Sequence, residues 1–309
     1  MANYVCMDLG GMSIKHGVAN GDGQLLTSGA TPMIMSEVKL KTLLDQLVTI
    51  ILDYKKQYKL SGVGIATAGM VDTVKGTIVY SGSHFPVGYT GTNVKKYIEN
   101  NCKLSCTVEN DVNAAALGEY WLGSAQRKKL IFCITVGTGI GGALLYKGKL
   151  IHGSGQCTGE VGYTFMGEKN RWEDVASTAA LLQQVTADKQ LAKGKLTGEE
   201  VFALAAQEDP AAVNALDQLV ERLAIGISNI CYIINPELIV LGGGIAAQKE
   251  YLEPRLNKRL GELLIDPIRK NTKLVFATLG NKAGMLGALY FYLEEQGRLR
   301  ELKGKIANL

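Results

Sequence analysis

The chain has little that would tie it to a membrane, a nucleic acid or a metal. Its 309 residues include three histidines and six cysteines, and the formal net charge is only +4. So small an excess leaves no electrostatic footprint for a nucleic-acid or membrane-surface partner. His16, His84 and His152 share no metal-ligand spacing with one another or with a cysteine. Cys6, Cys102, Cys106, Cys133, Cys157 and Cys231 are scattered. Cys6 and Cys133 fall inside apolar runs, where a thiol behaves as a small hydrophobe. The one close pair, Cys102 and Cys106, reads either as half of a metal site or as a turn entering a strand. With no second pair to match it, the turn is favoured. Disulfides are not expected in a reducing compartment. The best membrane candidate, Leu223 to Ile234, is broken by Gly226, Ser228 and Asn229 and does not reach spanning length. No basic region followed by a long apolar stretch opens the chain, so a cytoplasmic location is expected. Low-complexity segments and long linkers are also missing. What remains, 47% hydrophobic and 20% charged residues, is ordinary for a globular protein of one large domain or two closely joined lobes.

Glycine, by contrast, is placed with a pattern. Thr135 to Gly142 reads T-V-G-T-G-I-G-G, entered by the apolar run Leu130 to Ile134 and left by Ala143 to Ile151, a strand, tight turn and strand. A glycine-rich bend between two strands exposes backbone N–H groups that can hold phosphate oxygens closely. A dinucleotide fingerprint or P-loop would open a helix after its glycines; this bend opens a hairpin. The same design stands near the N-terminus. Tyr4 to Asp8 is a strand, Leu9-Gly10-Gly11-Met12-Ser13 a bend, Ile14 to Ala19 a second strand, and Asn20-Gly21-Asp22-Gly23 a hairpin turn. Two copies about 125 residues apart suggest similar halves that hold a phosphate-bearing ligand from both sides.

Between these copies, apolar periodicity predicts helices and strands in alternation, hence an α/β fold. Helices are expected over Glu37 to Tyr58 with Ser36 as N-cap, Asn93 to Asn100, Ala114 to Trp121, Trp172 to Val185, Tyr251 to Leu264 and Ala283 to Tyr292. Thr197 to Ala206 opens with a capping-box spacing, Thr197 to Glu200. Ala211 to Ile234 is a long apolar helix stopped by Asn235-Pro236. Gly62 to Ala66, Ser105 to Glu109 and Glu237 to Leu241 are buried strands, and Gly153 to Arg171 is an irregular polar loop.

Several polar residues could carry chemistry. Asp111 follows the strand Ser105 to Glu109, a common place for an acid or base in α/β proteins. It could accept a proton from an attacking hydroxyl, or it could cap the following helix. Asn110 and Asn113 beside it could orient a polar ligand. Asp8 could position magnesium through water near phosphates, or cap its own turn. Ser13 could donate to phosphate or be a plain strand residue. Glu160 and Glu173 could accept hydrogen bonds from vicinal hydroxyls, or be solvated charges. Gly242-Gly243-Gly244 could let a flat base pack on backbone, or be a tight strand-to-helix turn.

Taken together and in order, these segments resemble the ROK family of sugar kinases and related proteins, over nearly the whole chain. Asp8 to Gly11 is similar to the family's first phosphate motif, Gly62 to Asp72 to its strand and sugar-side loop, and Gly137 to Gly142 to its second phosphate motif. Glu109 to Glu119, E-N-D-V-N-A-A-A-L-G-E, is very close to its catalytic segment; Gly159 to Gly162 and Leu241 to Gly244 match its sugar and adenosine motifs. The resemblance implies an actin/hexokinase-type (ribonuclease H-like) duplicated α/β fold, with two lobes around a cleft. The smaller lobe would comprise residues 1–113 plus 293–309 and the larger 114–292. It implies ATP- and Mg²⁺-dependent phosphorylation of a hexose, usually at the 6-hydroxyl, by a cytoplasmic homodimer. Asp111 would be the catalytic base. Asn110, Gly69, Glu160, Tyr163 and Glu173 would bind the sugar. Asp8, Gly10, Gly11, Met12, Ser13, Thr138 and Gly139 would face phosphates and magnesium, with Gly243 and Gly244 near adenosine.

Three departures bear on this expectation. Met12 stands where the family usually has threonine, so a hydroxyl contact to phosphate is missing. Tyr163 stands where a histidine typically touches both sugar and zinc. Met166 to Glu173 has no cysteine, so the family's structural zinc is not expected. The last two changes resemble the zinc-lacking branch that includes β-glucoside kinases. A β-glucoside, glucose and N-acetylmannosamine therefore stand as alternative substrates. Family repressors carry an N-terminal helix-turn-helix. Here the first phosphate motif starts at Tyr4, so no DNA-binding domain is expected. A sugar-binding protein without catalysis is the other alternative.

Overall fold

Both strand–bend–strand stretches fold as hairpins, and each seeds a five-stranded sheet. A computed structural model describes residues 2–82, 84–192 and 194–299. The chain runs through β1 (Asn3–Leu9), β2 (Ser13–Asn20), β3 (Leu25–Pro32), α1 (Leu40–Gln57), β4 (Leu60–Thr67), β5 (Met70–Asp72), β6 (Thr77–Tyr80), α2 (Val94–Cys102), β7 (Cys106–Asn110) and α3 (Asp111–Leu122). It continues with β8 (Leu130–Val136), β9 (Ile140–Tyr146), β10 (Lys149–Leu150), β11 (Phe165–Met166), β12 (Asn170–Arg171), α4 (Trp172–Ala176), α5 (Thr178–Asp188), α6 (Gly198–Ala206) and α7 (Pro210–Ile234). The last elements are β13 (Leu238–Gly242), α8 (Lys249–Leu263), α9 (Asp266–Arg269), β14 (Lys273–Phe276) and α10 (Ala283–Glu295). The sheet orders are β3-β2-β1-β4-β7 and β10-β9-β8-β13-β14. In each, the leading strand pairs antiparallel with its hairpin partner and parallel with a later strand, which pairs parallel with the last. The repeat read in the sequence is therefore a repeat of a whole sheet topology, that of the duplicated actin/hexokinase-type fold.

Two compact units contain these sheets. The first holds the described residues within Met1–Gln126, His152–Cys157 and Asn281–Leu309. Its strands alternate strictly, as the pleat requires. Val5, Met7, Leu9, Val63, Ile65 and Val108 share a core with Leu43, Leu47 and Ile51 of α1 and Ile98 of α2. The intervening positions face α10: a β-carbon on Gly62 would collide with Tyr292, one on Gly64 with the Ala288 backbone, and the Tyr4 and Tyr292 rings lie 5.5 Å apart. Cys6, on this dry face, has its thiol pushed up to about 12 by burial. Helix α10 also lies against α3 backbone to backbone, since a β-carbon on Gly118 would meet Ala283 and one on Gly287 would meet Ala114. That contact moves the division between units. Helix α3 and the whole of α10 belong to the first unit, whose long segment ends at Gln126 and resumes at Asn281, where the expectation was 113 and 293. Residues 300–309 of the expected smaller lobe lie outside the described residues.

The second unit holds Arg127–Ile151 and Thr158–Gly280. Helix α7 has Asp209 as its cap, accepting from Ala212 N at 3.1 Å, and Pro210 at its first turn, where a missing N–H costs nothing. It ends at Asn235 in the left-handed region, φ 50°. Its apolar stripe, including Leu216, Leu219, Leu223 and Ile227, packs into one core with Trp172, Val185, Val201, Leu252 and Ile239. The expected helix over 172–185 is two helices, broken at Ser177, whose hydroxyl caps α5 by accepting from Ala180 N at 3.1 Å. Helix α1 begins at Leu40 behind Lys39 with no side-chain cap, so Ser36 does not serve. The expected loop 153–171 contains a 3₁₀ turn, Val161–Tyr163, and the β11–β12 hairpin.

Candidate functional site

In the first unit the polar cluster after β7 becomes the start of α3. Asn110 is the N-cap: its Oδ1 accepts from Val112 N at 2.9 Å and Asn113 N at 3.0 Å. Its Nδ2 donates to the Gly69 carbonyl at 3.0 Å and to Asp111 Oδ1 at 3.1 Å. The capping role weighed for Asp111 thus belongs to its neighbour. Asp111 is the first helical residue, where the helix dipole favours a carboxylate, and its Oδ1 also accepts from Val112 N at 3.0 Å. Gly69 holds φ 101°, and a β-carbon there would lie 2.5 Å from the Tyr80 carbonyl, so only glycine presents this carbonyl to Asn110. Behind the loop, buried Tyr89 shares a 2.8 Å hydrogen bond with Thr67 Oγ1 and stacks on Phe85 at 4.7 Å. Burial, assisted by the Asp111 charge, pushes the Tyr89 phenol up.

The first glycine bend is closed by Gly10 N donating to Ser13 O at 3.1 Å. The carbonyls of Gly11 and Met12 accept from Met35 N and Met33 N, each at 3.0 Å, which braces the bend from outside. The Met12 side chain is exposed, and Ser13 begins β2. Asp8 lies one strand residue before the bend. Its carboxyl sits 2.8 Å from where a β-carbon on Gly284 would be, and Lys15 Nζ approaches to 3.6 Å. Burial pushes this carboxyl above its ordinary range, with Lys15 pulling partly back.

In the second unit the bend Gly137-Thr138-Gly139 links β8 and β9, with Val136 opposite Ile140. Gly137 N donates to Gly139 O at 3.0 Å, and Thr178 N at the start of α5 donates to Gly137 O at 2.9 Å. Thr138 is exposed at the tip. Glu173 Oε2 accepts from Ile140 N at 3.3 Å and lies 2.6 Å from the β-carbon position of Gly139. Burial, and then the charge of Glu173, push the Glu160 carboxyl up. The two glutamates are therefore a close, half-buried pair, not solvated surface charges. Tyr163 ends the 3₁₀ turn with the Arg171 guanidinium 4.8 Å over its ring. Gly243 holds φ 82°, and a β-carbon on it would collide with the Val136 backbone. The third glycine site is thereby pressed against the strand that carries the second bend.

The sequence did not flag Glu109, His152, Lys15 or Arg171. His152 meets Glu109 across 43 positions, a separation at which no local pattern operates. Glu109 as the one charged residue of β7 was the available hint that it needed a partner.

At Gly11, Gly137 and Gly244 no atom beyond the adjoining residues lies within 4 Å of where a β-carbon would sit. Each of these bends, taken by itself, leaves its backbone open to an approaching ligand atom. Among the described residues no group of three or more His, Cys, Asp or Glu could hold a metal ion. A Mg²⁺ that arrives with a nucleotide takes one or two carboxylates plus phosphates, and Asp8 suits that need. Among the described residues no helix is long and apolar enough to cross a membrane.

Comparison with known proteins follows the same lines. Residues 4–295 match the ROK family. An uncharacterized protein of Clostridium perfringens is 40% identical over 95% of this chain and 99% of its own length. A β-glucoside kinase of Listeria innocua is 28% identical over 94% of this chain and 97% of its own. A solved ROK family glucokinase from Streptomyces griseus, in complex with glucose and AMPPNP, has a TM-score of 0.81 at 25% identity, covering 94% of this chain and 99% of that one.

Proposed function

The chain belongs to the ROK family, and on that premise we propose that it is a kinase that transfers the γ-phosphoryl group of ATP to the 6-hydroxyl of a glucose-type sugar. The observation that carries this reading is the start of α3, where Asn110 caps the helix, grips the Gly69 carbonyl and fixes Asp111 beside it. Asp111 takes the proton of the sugar hydroxyl as its oxygen bonds to phosphorus and the bridge to ADP breaks. Asn110 and the Gly69 loop contact the sugar. Glu160 and Glu173, acceptor-only when ionised, bind adjacent hydroxyls.

The bends at Gly10 to Ser13 and Gly137 to Gly139 supply backbone dipoles for phosphate oxygens, and Gly243 and Gly244 leave room for adenosine. Met12 offers backbone only. Asp8 would be the protein carboxylate for a Mg²⁺ that comes with the nucleotide, an ion that would supply charge neutralisation at the phosphates. Transfer of this kind demands positioning more than covalent help, which suits a site made of caps and turns.

For the acceptor, the Tyr163–Arg171 stack favours a β-glucoside over free glucose. Where the resemblance places a histidine, this chain has an aromatic face backed by a cation, a surface that suits a glycosidic substituent at O1. The test is sugar-dependent ADP production from glucose, N-acetylmannosamine, cellobiose and arbutin. The highest kcat/KM is expected with a β-glucoside; glucose or N-acetylmannosamine in first place would reject that preference. No ADP with any sugar would favour a binding protein instead.

A further inference from the structure

We propose that His152 is a positioning residue for the Asn110–Asp111 turn, acting through its 2.7 Å contact with Glu109. The inference rests on the kinase reading above and names a control over that same site. Its starting point is a detour of the chain. His152–Cys157 belongs to the first unit, although the residues on both sides of it belong to the second.

Three contacts fasten this short strap. His152 Nε2 meets Glu109 Oε2. Thr73 Oγ1 donates to Gln156 Oε1 at 3.2 Å, and Cys157 Sγ lies 3.3 Å from Met70 Sδ. Met70 directly follows Gly69, whose carbonyl receives the Asn110 amide, and Thr73 follows β5 just beyond it. The strap therefore touches the neighbourhood of the Asn110 turn from two sides.

Glu109 is the node. Its side chain is 1% exposed. Oε1 accepts from Asn110 N at 2.7 Å and from Asn113 Nδ2 at 3.0 Å, and Oε2 is left to His152. Two of its three donors come from the turn that carries Asp111. A carboxylate this buried is costly without an opposite charge, and an imidazolium supplies one. The groups that face His152 are Glu109 from β7 and Glu294 and Glu295 from α10, with the Phe291 ring 6.3 Å away. The Glu109 hydrogen bond leads in raising the imidazole above its ordinary 6.5, burial opposes it, and the charges of all three glutamates assist.

The sign follows. The charged pair is complete below 6.5 and is lost as pH rises through the higher value His152 has in the folded protein. Glu109 then keeps two donors but loses its countercharge, and the turn it holds loosens. Turnover should therefore fall on the alkaline side with the titration of His152.

Two measurements test this on the full chain. In the ADP assay, His152→Gln is expected to lower kcat about 10-fold, the scale of a small misplacement of reacting groups, to leave the KM for ATP within about twofold, and to abolish the alkaline fall. Wild-type kcat with an unchanged alkaline fall would overturn the proposal. By proton NMR, the His152 imidazole, assigned by its loss in His152→Gln, should titrate above 6.5 and move down in Glu109→Gln. An ordinary titration that ignores the Glu109 change also overturns it. A wild-type protein that makes no ADP with any sugar defeats the kinase reading, and the NMR titration still decides the pair.

Discussion

Glu173 Oε2 lies 2.6 Å from the point where a β-carbon on Gly139 would sit, so the glycine bend and the paired glutamates of the second unit are built on one another. Gly139→Ala must displace the Glu173 carboxylate or the bend. The expected result is a rise of roughly 10-fold in the KM for sugar, worth about 1.4 kcal/mol, measured by steady-state kinetics. An unchanged sugar KM would detach Glu173 from the sugar.

The same pair sets a pH dependence. Burial and the Glu173 charge raise the proton affinity of Glu160, and only the ionised carboxylate accepts from two hydroxyls. The KM for sugar should fall as pH rises through the Glu160 value, which lies above the ordinary 4.5. Glu173→Gln removes the repulsion and should shift this midpoint to lower pH. A midpoint that does not move would assign the dependence to another group.

Asn110 caps α3 and is proposed to contact the sugar, and two substitutions separate these roles. Asn110→Ala deletes the cap and should cost about 1–2 kcal/mol in urea unfolding. Asn110→Asp keeps the capping acceptor but loses the amide donor to Gly69 O. It should lower kcat while costing less stability than Asn110→Ala. Equal stability losses for the two would show that capping is not what Asn110 contributes.

Gly243 is expected to tolerate no side chain. Gly243→Ala combines a positive φ with a collision against Val136. It should destabilise by about 1–3 kcal/mol from the backbone alone and raise the KM for ATP more than that for sugar. The reverse ranking would place adenosine elsewhere.

The legible parts of this fold are those in which local chemistry decides. The Asn20 to Gly23 hairpin turn, the Thr197–Glu200 capping box and the Asn235-Pro236 stop all stand where the residues implied. So do the two glycine bends, because a strand that meets glycines and returns as strand has few other conformations. Boundaries failed where tertiary contact overrides periodicity. The apolar pattern runs straight through Ser177, but its hydroxyl caps a new helix there. β14 is four residues long, too short for a pattern, and exists because β13 offers it a parallel edge. The limits of the first unit depend on glycine contacts between α3 and α10, far apart in sequence. At the site, Asn110 and Asp111 were readable as a polar pair after a strand, whereas which of them caps, and that His152 stands behind them, are matters of three dimensions.

The central claim is that Asp111 deprotonates a sugar hydroxyl. Its most direct test is Asp111→Asn, which preserves shape and removes the base, assayed for sugar-dependent ADP formation together with equilibrium binding of sugar and ATP. The account expects turnover at least about 100-fold lower with both ligands still bound. Turnover close to that of the unaltered protein would contradict it.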